Sequence, residues 1–475
     1  MTEHLPIIIP MSLVVMALVV PVVAMWRPGL AFPLAAGGIA VSAAASVAVL
    51  LEVIDGGAVS YRLGGWPPPQ GIELVIDEAG AFVAGVIALV ALVVVVGTRR
   101  TALAEMGDRL GPFYALVLLF VGGLAGIVVT GDLFNLFVFL EITSIAGYAL
   151  VFMGGRLGML AGFRYLILGS IGGMLYLLGV GFVYYATGTL NMADALERIP
   201  ATASPRAVQA GAIFIFTGLG LKMALVPLHL WLPDAYTHAP SSVNTLIAPI
   251  GTKVAAFAML RMHLSVFPPG YLRDAVPVDQ SLIVLGSVGI VYGSVLAVSQ
   301  RDIRRVLAYS SISQIAMVAV GIGLGTPLGY VAALLHIMNH AVMKASLFMA
   351  TTSIRLATGL GAIASLAGLG RRMPATMLAF TLGAIAMVGV PPAAGFFSKW
   401  TLAQASADQG LWAVVAIVLG SSLLTAAYLF RVLERAYLEP ASPDAPAQGD
   451  GHHEARAAGA GATGPEHTKP HQPEP

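Results

Sequence analysis

The sequence predicts an all-α polytopic membrane protein of about thirteen transmembrane helices, with the seventh and twelfth broken. Three observations lead there. Of 475 residues, 57% are apolar and only 10% charged, well outside the balance of an ordinary globular domain. The apolar residues gather into runs near the ~20 residues that cross the hydrocarbon layer, where backbone polarity leaves helices as the way through. Proline interrupts two of these runs at corresponding places.

In chain order the runs lie near 5–25, 30–51, 78–97, 112–130, 133–153, 162–186, 208–228, 243–263, 281–299, 304–323, 327–353, 376–399 and 411–434. The first lacks a basic leader and a small-residue cleavage site, so it reads as a retained span and not as a signal peptide. The glycines spread through the runs are those of closely packed membrane helices. Past Tyr437 the composition turns to Pro, Gly, Ala and His with scattered charge, which buries too little to fold alone, and 440–475 reads as a disordered polar tail. His452 and His453 in that tail offer a metal pair, but a solvated tail accounts for them.

Basic residues orient the spans, because Lys and Arg collect in cytoplasmic loops. With the N-terminus outside, the inner loops hold fourteen arginines, among them Arg99, Arg100, Arg304, Arg355 and Arg371, against five in outer loops: Arg62, Arg198, Arg206, Arg261 and Arg273. The reading is therefore N-terminus out and C-terminus cytoplasmic, in the cell (inner) membrane. A net charge of +1 carries no information on partners, and the absence of cysteine excludes disulfides, thiolate zinc sites and cysteine-ligated iron–sulfur clusters.

The loop cations are arginines, whereas Lys222, Lys253, Lys344 and Lys399, four of the five lysines, fall in or at the edge of spans. Arginine stays charged at any relevant pH; a desolvated lysine exchanges its proton far more readily. Each ionisable group at mid-membrane costs at least about 2.5–3.5 kcal/mol on insertion scales, so four of them indicate function. Snorkelling to the interface is the competing account for Lys344 and Lys399, and it suits Lys222 and Lys253 poorly because apolar residues extend beyond both.

Glu141, in GDLFNLFVFLEITSIAGYAL, is the one carboxylate placed deep in a span, and it needs a cation. Lys222 is the favoured partner, on the seventh run, GLKMALVPLHLWLP, which Pro227 and Pro233 interrupt. Proline removes a backbone donor, which lipid tolerates only where the freed carbonyls meet protein or water. The twelfth run repeats the device in VGVPPAAGFFSKW, where Pro391 and Pro392 precede Lys399. Two broken spans, each with a lysine, are the trace of repeated halves with an ion path at their interface. In HIMNHAVMK, His336, His340 and Lys344 recur every four residues and stack along about 12 Å of one helix face. Such a ladder serves as a proton relay or as interhelical glue; with the other buried titratable groups, relay is the preferred reading.

At these residues the sequence resembles the antiporter-like membrane subunits shared by multisubunit Mrp cation/proton antiporters and respiratory complex I. The stretches are TGDLFNLFVFLEITSIAGYAL, GLKMALVPLHLWLPDAYTHAPSSVNTLIAPIGTKV, QRDIRRVLAYSSISQIAMVAVGIGLGTPLGYVAALLHIMNHAVMKASLFM and GVPPAAGFFSKW, within about 110–400. The GDLFNLFVFLEI form and the length look most like the Mrp D subunit. The resemblance implies three N-terminal helices over 1–111 and two inverted five-helix repeats near 112–263 and 281–434. It implies a pair between Glu141 and Lys222, and a proton path continuing through Lys253, His336, His340 and Lys399. Relatives usually carry a fourteenth span where this chain has its tail.

The function expected is proton translocation within a monovalent cation (Na⁺)/H⁺ antiporter complex, with other membrane subunits, the bilayer, protons and Na⁺ as partners, and with neither cofactor nor nucleic acid. The competing reading is a proton-pumping subunit of an NADH-quinone oxidoreductase or membrane-bound hydrogenase, powered by redox chemistry elsewhere. A stand-alone symporter is a weaker third. Oxygen ligands for a cation are available at Thr143, Ser144 and Ser313, without a decisive spacing.

Overall fold

A computed structural model describes residues 2–440, so the tail read at 440–475, with its histidine pair, lies past residue 440 outside the described residues. The described residues are nearly all helical, and eleven helices among them are long and apolar enough to cross a membrane. These eleven correspond to the predicted runs other than the seventh and twelfth. The seventh is Pro205–Lys222 and Leu232–His238 around an irregular stretch; the twelfth is Pro374–Val388 and Ala394–Asp408 around another. A short antiparallel hairpin, Val59–Arg62 with Glu73–Ile76, joins the second and third spans.

Proline alone does not make the breaks. Pro10 and Pro21 sit inside Leu5–Trp26 and Pro249 inside Ser241–Ser265, and those helices continue. At the two breaks the chain also enters the left-handed region, at Ala224 (φ 62°) and at Gly389 (φ 87°), which a right-handed helix cannot contain. The freed polar groups are taken up locally: Leu225 N–H donates to the Gly220 carbonyl at 2.8 Å, and the Trp231 indole donates to the Leu221 carbonyl at 3.0 Å.

The most enclosed helices are Ser241–Ser265 and Ile303–Gly323, each 94% buried over its most apolar stretch, against 28% for the peripheral Leu5–Trp26. The two enclosed helices are also much less apolar than the peripheral one. That order follows from the medium, because a helix bearing Ser, Thr, Asn and Lys must meet protein where lipid offers no hydrogen bonds. Small residues permit the close approaches. A Cβ at Gly218 would lie 2.5 Å from the Gly172 carbonyl oxygen, and one at Gly293 would lie 2.6 Å from the Ser313 nitrogen. Pro205–Lys222 is thereby pressed onto Gly155–Thr187, and Val278–Ser299 onto Ile303–Gly323.

One end of the bundle gathers charge. Glu105 accepts from the N–H groups of Ser241 and Ser242 at 2.8 and 3.1 Å, capping the Ser241–Ser265 helix from outside it. Arg304 donates to the Ser241 hydroxyl and to the carbonyls of Thr237 and Ala239. Read from sequence as a loop cation, Arg304 is in fact buried, since its guanidinium satisfies carbonyls left over at a helix end.

Candidate functional site

Glu141 and Lys222 meet as expected, with Nζ 3.1 Å from Oε1, and the same ammonium donates to the Ser144 hydroxyl at 2.5 Å. The local chain explains the meeting. Lys222 is the last residue of Pro205–Lys222, so its positive charge stands at the negative end of the helix dipole, beside the break. Glu141 and Ser144 share one face of Leu133–Phe152 at i, i+3. From the third side Gly173 of Gly155–Thr187 backs the carboxylate so closely that a Cβ there would lie 2.2 Å from Oε1. A narrow cavity of about 30 Å³ is lined by Lys222, Ser144, Tyr165, Trp231 and Thr252.

Thr252 adjoins Lys253, which is wholly enclosed and donates to the Ala248 carbonyl at 2.6 Å and weakly to the Thr252 hydroxyl at 3.4 Å. Lys344 donates to the Leu307 carbonyl and the Ser310 hydroxyl, both at 2.6 Å. Lys399 donates to the carbonyls of Met387 and Val388 at 2.8 and 3.0 Å and to Ser422 Oγ at 3.1 Å. Those two carbonyls end Pro374–Val388, so the lysine from the second half of the broken helix closes the open end of the first. All three ammonium groups are buried, and among the described residues none has a carboxylate within ion-pair distance. The snorkelling account of Lys344 and Lys399 is not what the structure shows.

The predicted ladder lies inside Pro327–Thr358, with His336, His340 and Lys344 all buried. The two imidazoles lie 6.0 Å apart between ring centroids. His336 Nδ1 is 3.0 Å from the Ser398 hydroxyl, on the residue before Lys399, while its Nε2 and both nitrogens of His340 find no protein partner among the described residues. Buried imidazoles without partners cost stability. The glue reading requires bonds that His340 does not make.

Sequence reasoning missed most of the neutral partners. Ser310, Ser398 and Ser422 hold the titratable groups, and Gln314 is fully buried with both amide atoms unpartnered. In FFSKW the serine beside the lysine was a visible signal; Gln314 left none beyond being polar in a span. Glu141 itself is half-buried, its side chain 26% exposed, and two further carboxylates, Asp132 and Asp279, are buried at helix starts. Among the described residues, no cluster of His, Asp and Glu could hold a metal ion.

Comparison with known proteins agrees with this architecture. Residues 130–425 match the family described as NADH:quinone oxidoreductase/Mrp antiporter, TM. NADH-quinone oxidoreductase subunit N of Desulforudis audaxviator is 42% identical over 447 residues, covering 92% of this chain and 87% of that protein. The D subunit of the Na(+)/H(+) antiporter of Alkalihalophilus pseudofirmus is 30% identical over 395 residues, 82% of this chain and 78% of the relative. A chain in the Mrp complex of Dietzia sp. superposes with a TM-score of 0.85 at 28% identity, covering 94% of this chain and 82% of that one. The chain is a multi-pass membrane protein belonging to the NADH:quinone oxidoreductase/Mrp antiporter transmembrane family.

Proposed function

We propose that this chain translocates protons as one subunit of a multisubunit monovalent cation (Na⁺)/H⁺ antiporter, with Glu141, Lys222, Lys253, His336, His340, Lys344 and Lys399 as its proton-handling residues. The observation that carries the reading is the 3.1 Å Glu141–Lys222 pair beside a helix break, in a bundle that also encloses three lysines with no countercharge among the described residues. A proton arriving at Lys253 or at the histidines changes the field at the pair. At a separation near 4 Å and an effective dielectric of about 20, one unit charge acts on another with about 4 kcal/mol, enough to invert occupancy. The repeats near 112–263 and 281–434, each with one broken span and its lysine, supply two equivalent half-paths. The arginine-rich end faces the cytoplasm of a cell-membrane protein, with the N-terminus outside.

The test is cation-dependent proton movement in inverted vesicles. Glu141→Ala and Lys222→Ala each abolish it while the complex still assembles; wild-type transport in either variant removes the pair from the mechanism. Comparing Na⁺, K⁺ and Li⁺ identifies the coupling ion. The 42% identity to an oxidoreductase subunit N supports a second reading, in which the same relay is powered by redox chemistry in partner subunits. Flavin and iron co-purifying with the complex select that reading; their absence from an active complex selects the antiporter.

A further inference from the structure

Ten residues beyond Lys253 on the same helix, about 15 Å along its axis, stands a second buried titratable group. His263 Nε2 lies 2.9 Å from Asp279 Oδ1, and its Nδ1 lies 3.1 Å from the Met259 carbonyl oxygen. Their side chains are 3% and 12% exposed. The pair joins the end of Ser241–Ser265 to the start of Val278–Ser299, at the end of the bundle away from Glu105 and Arg304.

Only one proton count makes both contacts hydrogen bonds at once. A carbonyl oxygen only accepts, so Nδ1 carries a hydrogen. A neutral ring then presents a lone pair at Nε2, and an ionised carboxylate presents lone pairs only. A 2.9 Å contact between them requires one further proton, held either as imidazolium with carboxylate or as imidazole with carboxylic acid. The seat is built for it. A Cβ at Gly325 (φ 62°) would lie 3.1 Å from Asp279 Oδ2, and one at Gly323 would lie 2.7 Å from the Asp279 carbonyl oxygen. Phe216 meets the imidazole edge to face at 4.9 Å, and Tyr330 stands 6.3 Å away on the helix that bears His336 and His340.

The other charges nearby are already engaged. Arg261 is bound by Asp77 at 2.5 and 2.8 Å, and Arg273 pairs with Asp274 at 3.0 Å. Tyr330, 6.3 Å from the imidazole, is a further titratable neighbour. We propose that His263 and Asp279 form a proton-binding dyad, the terminal station on the membrane face opposite the arginine-rich one. It takes one proton from the lysine–histidine chain and releases it to water; no electron moves. This role rests on the proton-translocating reading above. Its release step gives up one of the two contacts, because a neutral ring has a single N–H to serve either Asp279 or the Met259 carbonyl.

The test has two arms. In the assembled complex, ¹⁵N-histidine resonances are expected to show His263 doubly protonated, or else neutral with an infrared carboxylic-acid band that Asp279→Asn removes. A neutral ring beside an ionised carboxylate overturns the dyad. In vesicles, the double variant His263→Gln, Asp279→Asn keeps an amide-to-amide hydrogen bond but cannot carry the proton. Proton movement is expected to fall at least tenfold, with a displaced pH profile and unchanged assembly. Wild-type rates in that variant, with Glu141→Ala inactive, overturn the station and leave the proposed function standing. Wild-type rates in Glu141→Ala overturn the proposed function instead, and the resonance measurement still decides the dyad.

Discussion

Gly173→Ala tests the pair without touching a charge. In the interior of Gly155–Thr187 the exchange gains about 0.5–1 kcal/mol of helix propensity, so the helix itself is not weakened. The new methyl, however, would lie 2.2 Å from Glu141 Oε1, 3.1 Å from its carboxyl carbon and 3.6 Å from Lys222 Nζ. An oxygen cannot remain there, and ordinary contact lies more than 1 Å further out. Moving the carboxylate about 1.2 Å away lengthens the 3.1 Å pair to about 4.3 Å. At an effective dielectric of about 20, the attraction falls from about 5.4 to about 3.9 kcal/mol, a loss of about 1.5 kcal/mol. That favours the open pair by about 12-fold. Cation-driven proton movement in vesicles is expected to drop by at least tenfold, with Lys222, Glu141 and the assembled complex all present. Wild-type transport by Gly173→Ala would show that the closed pair is not a state the cycle passes through.

Two further expectations concern the ends of the bundle. Glu105→Gln loses one of the two carboxylate caps on Ser241–Ser265; it is expected to cost about 1–2 kcal/mol in thermal unfolding of the complex while transport persists. Asp77→Asn removes the countercharge of the enclosed Arg261, at a cost of about 3 kcal/mol in the same assay. The acid limb of stability changes with it. Burial pushes the Asp77 carboxyl up, but Arg261 and the Gly80 N–H outweigh burial and hold it below the ordinary 3.8. Its contribution is therefore complete above that value and is lost as pH falls through the lower folded one, a loss absent from Asp77→Asn.

The spans and the two breaks were legible because lipid makes the code strict: apolar length is span, and proline beside a lysine is a break that something polar must heal. The titratable side chains inside the bundle were legible for the same reason, since Lys222, Lys253, His336 and Lys399 stand out against apolar neighbours. Their surroundings were not. Whether Lys344 snorkels or is enclosed depends on which helix face meets protein, and Ile303–Gly323, which supplies Leu307 and Ser310, is fixed only by tertiary packing. Nor does any period connect His263 with Asp279; the two lie on successive helices, and a histidine near a span end reads as an interface residue. Arg304 was misplaced because a charged residue at a run's edge looks the same in sequence whether it reaches water or folds back onto carbonyls.

That one lysine has a carboxylate and three do not, among the described residues, is the pattern the proposed relay needs. A lysine locked to a carboxylate keeps its proton, so in that relay Lys222 would be a gate that opens when Glu141 is drawn away. Lys253, Lys344 and Lys399 rest instead on carbonyls and hydroxyls, ligands that stabilise an ammonium without cancelling its charge. Uncancelled charges report to one another. Two charged imidazoles at the 6.0 Å spacing of His336 and His340 repel by about 3 kcal/mol at an effective dielectric of about 20, which disfavours double loading by about 100-fold. In the proposed relay the ladder would therefore hold one proton at a time, each arrival expelling its predecessor toward the next group. A carboxylate beside His340 would stabilise a resident proton there and stop the passage. The lack of such a partner for His340 among the described residues is what the proposed relay requires.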